Sequence, residues 1–239
     1  MEKKAEKHFL ERAEESWKKE RPIDTDFLSP DEYQAFLSVF SQLSYASPKV
    51  YKEDWERKLI HFGPGAPQIS ILKITSLSYP FIKLSHPDYL GALLGLGLER
   101  KVLGDVLAFE DKAYVYVKKS FSDFICQNLI SVGRAKVIAE EIPDLPEDAL
   151  PKFSPETIIV SSLRLDRILS TAFHLSRTKA QKAIEEGLVL LDGSPATHPD
   201  FLLSEGIRVS FRHHGKIRLR EFSGRSKKGS YILEIDRYE

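Results

Sequence analysis

The hydrophobic positions of the first 43 residues predict two amphipathic helices. Over residues 1–20, apolar and small side chains recur at helical spacing among charged ones, and Arg21-Pro22 ends the pattern because proline restricts the residue before it. Ser29 is placed to cap a second helix, with Pro30 at its first position. The predicted packed faces are Phe9, Ala13, Ser16 and Trp17 in the first helix, and Tyr33, Phe36, Leu37 and Phe40 in the second, which runs to about Leu43.

From about residue 69 the pattern changes to strands separated by short helices. Their βαββαβ order is typical of a ferredoxin-like or RRM-like domain. The predicted elements are a strand at Ile69–Thr75, a glycine-rich helix at His86–Gly97, strands at Asp105–Phe109 and Ala113–Lys118, a helix capped by Ser120, and a strand at Lys136–Ile142.

Residues 143–157 contain four prolines and four acids, which predicts a linker. A third pattern follows, with two short helices and then alternating strands. Its predicted elements are helices at Leu163–Phe173 and Arg177–Glu186, a stop at Gly187, strands at Leu188–Leu191 and Arg208–Arg212, and a turn at Asp192-Gly193. The predicted fold is therefore α+β, with domains at 1–68, 69–142 and 158–239.

The charge balance separates the last third of the chain from the rest. Lysine plus arginine equals aspartate plus glutamate at 35 each, but residues 158–239 hold 14 basic and 10 acidic side chains, a net charge of +4. Residues 207–228 hold eight basic side chains and one acid, Glu221. A locally basic end on a neutral protein indicates a polyanionic partner for that end.

Several classes of protein are disfavoured by the composition. The longest apolar run, near Leu90–Leu98, is interrupted by glycines and falls far short of the roughly 20 residues of a membrane span. The charged N-terminus is unlike a secretory signal. Cys126 is the single cysteine, so no internal disulfide or cysteine-cluster metal site is expected. These features predict a cytoplasmic protein, and we expect no cofactor and no metal.

Three separated segments of the last third resemble the S4 RNA-binding domain, the small module of ribosomal protein S4. They are Arg164-Leu165-Asp166-Arg167, Leu175-Ser176-Arg177-Thr178-Lys179-Ala180 and Gly187-Leu188-Val189-Leu190-Leu191-Asp192-Gly193. One departure is that Gly206 is followed by Ile207, where the family has aspartate. The resemblance implies that the two helices present one face to structured RNA, ribosomal or transfer. The implied RNA-binding residues are Arg164, Arg167, Ser176, Arg177, Thr178, Lys179, Lys182, Asp192 and Gly193.

The basic tail supplies a second group of candidate phosphate contacts. Alternation places Arg218 and Arg220 on one strand face, and glycines flank the segment Arg225–Lys228. Salt-sensitive phosphate contacts are expected from such cations. The candidates are Lys216, Arg218, Arg220, Arg225, Lys227 and Lys228.

The central region resembles the YlmH family. The resemblance rests on His86-Pro87-Asp88-Tyr89-Leu90-Gly91-Ala92-Leu93-Leu94-Gly95-Leu96-Gly97-Leu98-Glu99-Arg100, on Gly104-Asp105-Val106 and on Phe27-Leu28-Ser29-Pro30. Segment 45–55 lacks the glycines that the family places before its Glu-Arg pair, here Glu56-Arg57. The three glycines could allow close helix packing or a sharp turn. His86, Asp88, Arg100 and Asp105 could form a structural polar cluster, or His86 and Arg100 could contact RNA.

The combined resemblance implies a non-enzymatic RNA-binding protein that associates with the large ribosomal subunit in translation or ribosome-associated quality control. The basic-Gly-aromatic string typical of RRM domains is absent, so Tyr114 and Tyr116 could either stack on bases or cover the sheet. Two rival functions stay open. One is an RNA-modifying enzyme of pseudouridine-synthase type using Asp166, although this carboxylate is expected to pair with an arginine. The other is a cell-division adaptor whose docking surface is the N-terminal domain.

Overall fold

The structure is a computed structural model that describes residues 2–51, 55–78, 82–150 and 152–238. Residues 52–54 of segment 45–55 and residue 151 of the predicted linker lie outside these ranges. The chain divides into two compact units, Met1–Leu150 and Pro151–Glu239. Among the described residues, every helix is too short or too polar to span a lipid bilayer.

The N-terminal region is helical, as predicted, with a small antiparallel sheet. Helix α2 begins as its sequence indicates: the Ser29 hydroxyl accepts the amide of Glu32, and the Glu32 carboxylate accepts the amide of Ser29. Its last predicted turn is a separate 3₁₀ helix. The elements are α1 (Glu2–Lys19), β1 (Ile23–Asp24), α2 (Pro30–Val39), the 3₁₀ helix Phe40–Ala46, β2 (Lys49–Tyr51) and β3 (Leu59–Phe62).

The packed faces of these helices were predicted only in part. Phe9, Ala13 and Ser16 are buried, whereas Trp17 is 62% exposed and meets the Tyr45 ring edge-on. In α2 the buried side chains are Ala35, Phe36 and Val39, while Leu37 and Phe40 are exposed. The buried set repeats every three to four residues, as one side of a helix does, and Leu37 lies off that side.

The central region has the predicted element order. Its strands are all antiparallel and, within the described residues, follow the spatial order β5-β6-β4-β8-β7. The helices pack on one face, over Leu72, Ile74, Val115 and Val117. The elements are β4 (Ile69–Ser76), α3 (His86–Gly95), β5 (Leu103–Ala108), β6 (Lys112–Lys118), α4 (Ser122–Asn128), β7 (Ser131–Val132) and β8 (Ala135–Ile142), with 3₁₀ turns at Arg100–Val102 and Lys119–Phe121.

The other face of this sheet is also covered, and around Tyr116 the cover is the N-terminal region. Tyr114 and Tyr116 lie there, and each is only 2% exposed. Tyr116 packs with Phe27 and Leu59, and its ring centroid lies 5.0 Å from that of Trp55 in an edge-on contact. Neither tyrosine has a ring face open to a base, so the two rings belong to the cover of the sheet and the stacking interpretation is not supported.

The glycine that permits close packing is Gly104. A Cβ atom there would lie 2.9 Å from Phe27 Cε1 and 2.9 Å from Tyr116 Cβ. The glycines singled out in α3 differ: Gly91 and Gly95 have no neighbour within 4 Å of such an atom, and Gly97 serves the turn after the helix with φ +85°. The expectation of close packing therefore fails for Gly91 and Gly95, the alternative of a sharp turn holds at Gly97, and the tightly packed glycine is Gly104, which was not predicted.

Substituting Gly104→Ala is expected to destabilise the first unit by about 1–2 kcal/mol, because the added methyl group would overpack the Phe27–Tyr116 contact. Urea unfolding followed by tryptophan fluorescence reports on this unit, since Trp17 and Trp55 both belong to it. The matched control is Gly91→Ala, an open helical position where the free energy of unfolding should be unchanged or slightly higher. Equal stability of the two variants would contradict the close packing.

The second unit combines two helices with one antiparallel sheet. Within the described residues, the strand order is β11-β10-β12-β13-β14-β9. The helices pack on one face, over a core that includes Ile217, Leu219, Leu233 and Ile235. The elements are β9 (Phe153–Val160), α5 (Leu165–Ala172), α6 (Arg177–Glu185), β10 (Val189–Leu191), β11 (Ser194–Pro195), β12 (Arg208–Phe211), β13 (Gly215–Arg225) and β14 (Tyr231–Tyr238).

Strand β9 corrects the predicted linker. It begins at Phe153, inside the stretch 143–157, and pairs along its whole length with β14. Pro155 is compatible with this pairing because β9 lies at the edge of the sheet, where a missing amide donor is tolerated. Residues 147–149 of the same stretch form a 3₁₀ turn.

Candidate nucleic-acid interface

The side chain of Asp166 joins the two helices of the second unit. Asp166 lies in the first turn of α5 and is fully buried. It accepts hydrogen bonds from Arg164 at 3.1 and 3.2 Å, from Arg177 Nε at 2.9 Å and from Gln181 Nε2 at 2.8 Å. The predicted pairing of Asp166 with a neighbouring arginine is thus confirmed. The carboxylate therefore brings together two candidate RNA-binding arginines, Arg164 at the start of α5 and Arg177 at the start of α6.

The protonation of Asp166 follows from this environment. Burial alone would raise the pKa of the carboxyl group, but the hydrogen bonds from Arg164, Arg177 and Gln181 outweigh burial and lower its pKa to about 2. The carboxylate is therefore ionised at neutral pH. Its two oxygens are engaged by these three donors.

The start of α6 brings further candidate residues to the surface. The Ser176 hydroxyl caps the helix by accepting the amide of Lys179 at 3.3 Å. The side chains of Arg177, Thr178, Lys179 and Lys182 are exposed. Lys182 pairs with Glu186 at 3.6 Å, on the solvent side. Lys182 lies in the last turn of α6, whereas Arg177 and Lys179 lie at its start and reinforce the positive potential of the helix amides there.

Asp192 and Gly193 form the turn between β10 and β11. Both have positive φ, 46° and 90°, as a tight hairpin turn requires. The Asp192 carboxylate accepts both the amide and the Nε of Arg208 at 3.1 Å, and Arg208 is 5% exposed. Asp192 therefore stabilises the fold by binding Arg208. The sequence did not indicate this contact.

The tail cations lie on a different surface from the helix cations. On β13, Ile217 and Leu219 face the core under the helices, so the alternating Arg218 points to the opposite face of the sheet. There Asp236, 5% exposed, pairs with Arg218 at 2.9 Å and with Arg220 at 3.7 Å. The structure therefore separates the candidate cations into two groups. The helix group is Arg164, Arg167, Arg177, Lys179 and Lys182, and the sheet group is Lys216, Arg218, Arg220, Arg225, Lys227 and Lys228.

Aromatic rings accompany several cations of the sheet group. Lys216 Nζ lies 4.9 Å from the centre of the Tyr238 ring, and the Arg218 guanidinium lies 5.1 Å from that of Phe153. At the far end of β13, Arg225 stacks on Tyr231 at 4.5 Å and donates to its hydroxyl. Lys227 and Lys228 are exposed in the turn that follows.

The proposed polar cluster of the central region is divided in the structure. Asp88 accepts the amide of Ser85 and so caps α3, where His86 is exposed. Arg100 donates to the carbonyl oxygens of residues 103 and 104. Asp105 accepts the amides of residues 56 and 57. Among the described residues, no hydrogen bond or ion pair links His86 to Arg100.

The residues of this candidate site that the sequence did not indicate are contact partners of predicted ones. Gln181 lies one helical turn after Arg177, and this spacing is the signal that could have placed it beside Asp166. Asp236 is opposite Arg218 through the β13–β14 register, which the sequence does not reveal. In the described part of the chain, no group of three or more His, Cys, Asp or Glu side chains is suited to a metal ion.

Comparison with known proteins matches two families in this chain. Residues 68–145 match the family described as "Putative RNA-binding domain in YlmH", and residues 163–209 match the S4 domain. The ribosome-associated protein quality control protein P2 of Bacillus subtilis is 29% identical over 98% of this chain and 96% of its own length. The structure of cell division protein YlmH from Streptococcus pneumoniae aligns with a TM-score of 0.43 and 23% identity, covering 57% of this chain and 90% of that one.

The S4 match includes α5, α6 and the Asp166 contacts, and the YlmH match includes the whole central sheet. Both resemblances found in the sequence are thereby confirmed. This chain is an RNA-binding S4-domain protein whose central region matches the RNA-binding domain described for YlmH.

Proposed function

We propose that this protein is a non-enzymatic RNA-binding protein that docks the helix group of its S4 unit on structured RNA of the large ribosomal subunit. The observation that carries the proposal is the Asp166 contact, which fixes Arg164 and Arg177 from two elements beside the exposed start of α6. Fixed guanidinium groups suit phosphate oxygens because their donors match the geometry of the anion.

The charge of the helix group supports a polyanionic partner. Arg164 and Arg177 carry two positive charges against the single negative charge of Asp166, and the exposed Lys179 adds a third positive charge. Arg167, half-buried on α5, contributes to the same unit. Contacts of this kind position a protein on a nucleic acid more than they read its sequence. This favours recognition of a folded RNA shape.

The ribosomal part of the proposal rests on the Bacillus subtilis relative, whose name states ribosome association and quality control and which aligns with nearly all of this chain. We place the activity in the cytoplasm, on ribosomal or transfer RNA. The sheet group of the S4 unit is proposed as a further set of phosphate contacts, with Arg218 and Arg220 oriented by Asp236.

For the central region we propose an RRM-like module spanning residues 69–142, between an N-terminal domain at 1–68 and an S4 domain at 158–239. The antiparallel strand order β5-β6-β4-β8 and the βαββαβ element order support this interpretation. The face that bears Tyr114 and Tyr116 is covered, so RNA contacts of this module would use other surfaces.

Lys179→Ala is expected to weaken binding to purified large ribosomal subunits about 3–10-fold and to lower the slope of log affinity against log salt by about 1. Lys179 suits this test because it is exposed and its side chain takes no part in the Asp166 contacts. Fluorescence anisotropy of the labelled full-length protein at several salt concentrations measures both quantities.

The matched control is Lys152→Ala, an exposed lysine of the same unit outside the helix group. It should leave the affinity and the salt slope unchanged. If Lys179→Ala behaved like this control, the helix group would not be the RNA-binding surface.

A further inference from the structure

Two arginines meet where the N-terminal region contacts the central sheet, and both donate to backbone carbonyls. Arg57 Nη2 donates to the Phe27 carbonyl at 2.6 Å. Arg100 Nη1 donates to the carbonyls of Leu103 and Gly104 at 2.6 and 2.9 Å. Both side chains are half-buried. Each guanidinium thus has one edge fixed by the fold.

The charges of this pair are poorly compensated. Burial lowers the pKa of Arg57. Burial and then repulsion from Arg57 lower the pKa of Arg100 to about 10, and attraction from the carboxylates of Asp105 and Glu56 offsets only part of this. Within the described ranges, the hydrogen bonds of both guanidinium groups go to backbone carbonyls and not to carboxylates, and Arg57 Nε is buried without a hydrogen-bond partner. Two desolvated cations and an unused donor are costly unless an anion joins them.

Asp105 fixes the backbone at Arg57, one member of this pair. Its carboxylate accepts the amides of Glu56 and Arg57 at 2.8 and 3.0 Å, which fixes the chain from which the Arg57 side chain projects. The neighbouring Gly104 supplies one of the carbonyls that hold Arg100. Hydrogen bonds therefore connect the Glu56-Arg57 pair and the Gly104-Asp105 pair noted in the sequence. Both pairs belong to the first unit and not to the S4 unit.

We propose that Arg57 and Arg100 form a phosphate-binding site that takes a phosphodiester group of the RNA bound by this protein. The inference rests on the proposed function and adds a second, separate contact to it. Two adjacent guanidinium groups can donate to one phosphate through several N–H groups, which offsets their mutual repulsion. Arg100 was a candidate RNA contact in the sequence together with His86. The structure instead brings it near Arg57, which holds the carbonyl of Phe27, while the Phe27 amide donates to the carbonyl of residue 101 at 2.8 Å.

The test compares full-length wild type with Arg100→Gln in anisotropy titrations against purified large ribosomal subunits. Arg100→Gln should weaken binding about 3–10-fold and reduce the salt slope by about 1. The matched control is Arg134→Gln, an exposed arginine between β7 and β8 of the same unit, which should change neither quantity. Equal salt slopes for the two variants would overturn the inference.

A second measurement uses inorganic phosphate as the probe. The melting temperature of the wild type should rise in phosphate relative to chloride at equal ionic strength, and this rise should be lost in Arg100→Gln. A phosphate response without any change in subunit binding would assign the site to a free phosphate and overturn the RNA contact. If Arg100→Gln fails to fold, Arg57→Lys serves instead: it keeps the charge but loses Nε, and should weaken subunit binding about 3-fold with an unchanged slope.

Lys179→Ala in the same titrations separates the two proposals. If Lys179→Ala lowers the slope and Arg100→Gln does not, the second contact is wrong and the S4 proposal stands. If neither variant lowers the slope, the S4 proposal fails as well.

Discussion

Replacing Arg164 and Arg177 together by Ala is expected to destabilise the S4 unit by about 3 kcal/mol and to weaken RNA binding more than 10-fold. The loss of stability arises because Asp166, fully buried, would keep its charge with only Gln181 as a described side-chain partner. Burial would then dominate and raise the pKa of Asp166. Hydrogen exchange of peptides from residues 165–185 measures the local stability, since both tryptophans lie in the other unit.

Adding Asp166→Asn to this double variant separates stability from RNA contact. The neutral amide removes the unpaired charge, so much of the lost stability should return. Affinity for large ribosomal subunits should stay low, because the two guanidinium groups are still missing. Recovery of affinity in the triple variant would show that Arg164 and Arg177 only support the fold.

The single substitution Asp166→Asn is expected to cost about 2 kcal/mol at pH 7, in line with a carboxylate whose pKa is about 2 in the folded protein and 3.8 ordinarily. A lowered folded-state pKa stabilises the protein above the unfolded-state value, and this stabilisation is lost as pH falls through the folded-state value. The difference between wild type and variant should therefore be constant above about pH 5 and shrink toward pH 2.

Glu185→Gln is the matched control for this prediction. Glu185 is an exposed acid on α6, so its neutralisation should change the free energy of unfolding by less than about 0.5 kcal/mol. A wild type and an Asp166→Asn variant that differ equally at every pH would contradict the assigned ionisation. Asp166→Asn also tests the alternative that this protein is a pseudouridine synthase. The pseudouridine content of rRNA and tRNA should be the same with the wild type and with this variant.

Local signals explain why most elements could be predicted. Ser29 and Pro30 start a helix by chemistry confined to one turn, and Asp192-Gly193 specifies a hairpin in the same way. The Asp166 pairing was foreseeable because Arg164 is two residues away. These interactions join residues that are close together in the sequence, so the sequence pattern is enough to predict them.

The parts that could not be predicted depend on contacts between distant residues. Whether Tyr116 faced solvent depended on Phe27 and Trp55, which alternation within its own strand does not reveal. The sequence predicts Arg218 as an RNA contact, but it does not reveal the strand register that pairs this arginine with Asp236. Strand β9 was hidden by Pro155 and the prolines before it, because its position at the sheet edge is a property of the whole sheet.

The packing of Phe27 against Tyr116 has a consequence for how the chain is made. Phe27 leaves the peptide exit tunnel well before Tyr116 is synthesised, and the strand that will cover it follows roughly 4–18 s later at ordinary elongation rates. During that interval the nascent chain carries an unburied aromatic surface. Codon changes that lengthen this delay should lower the yield of native protein more than codon changes that cause an equal delay within residues 158–239.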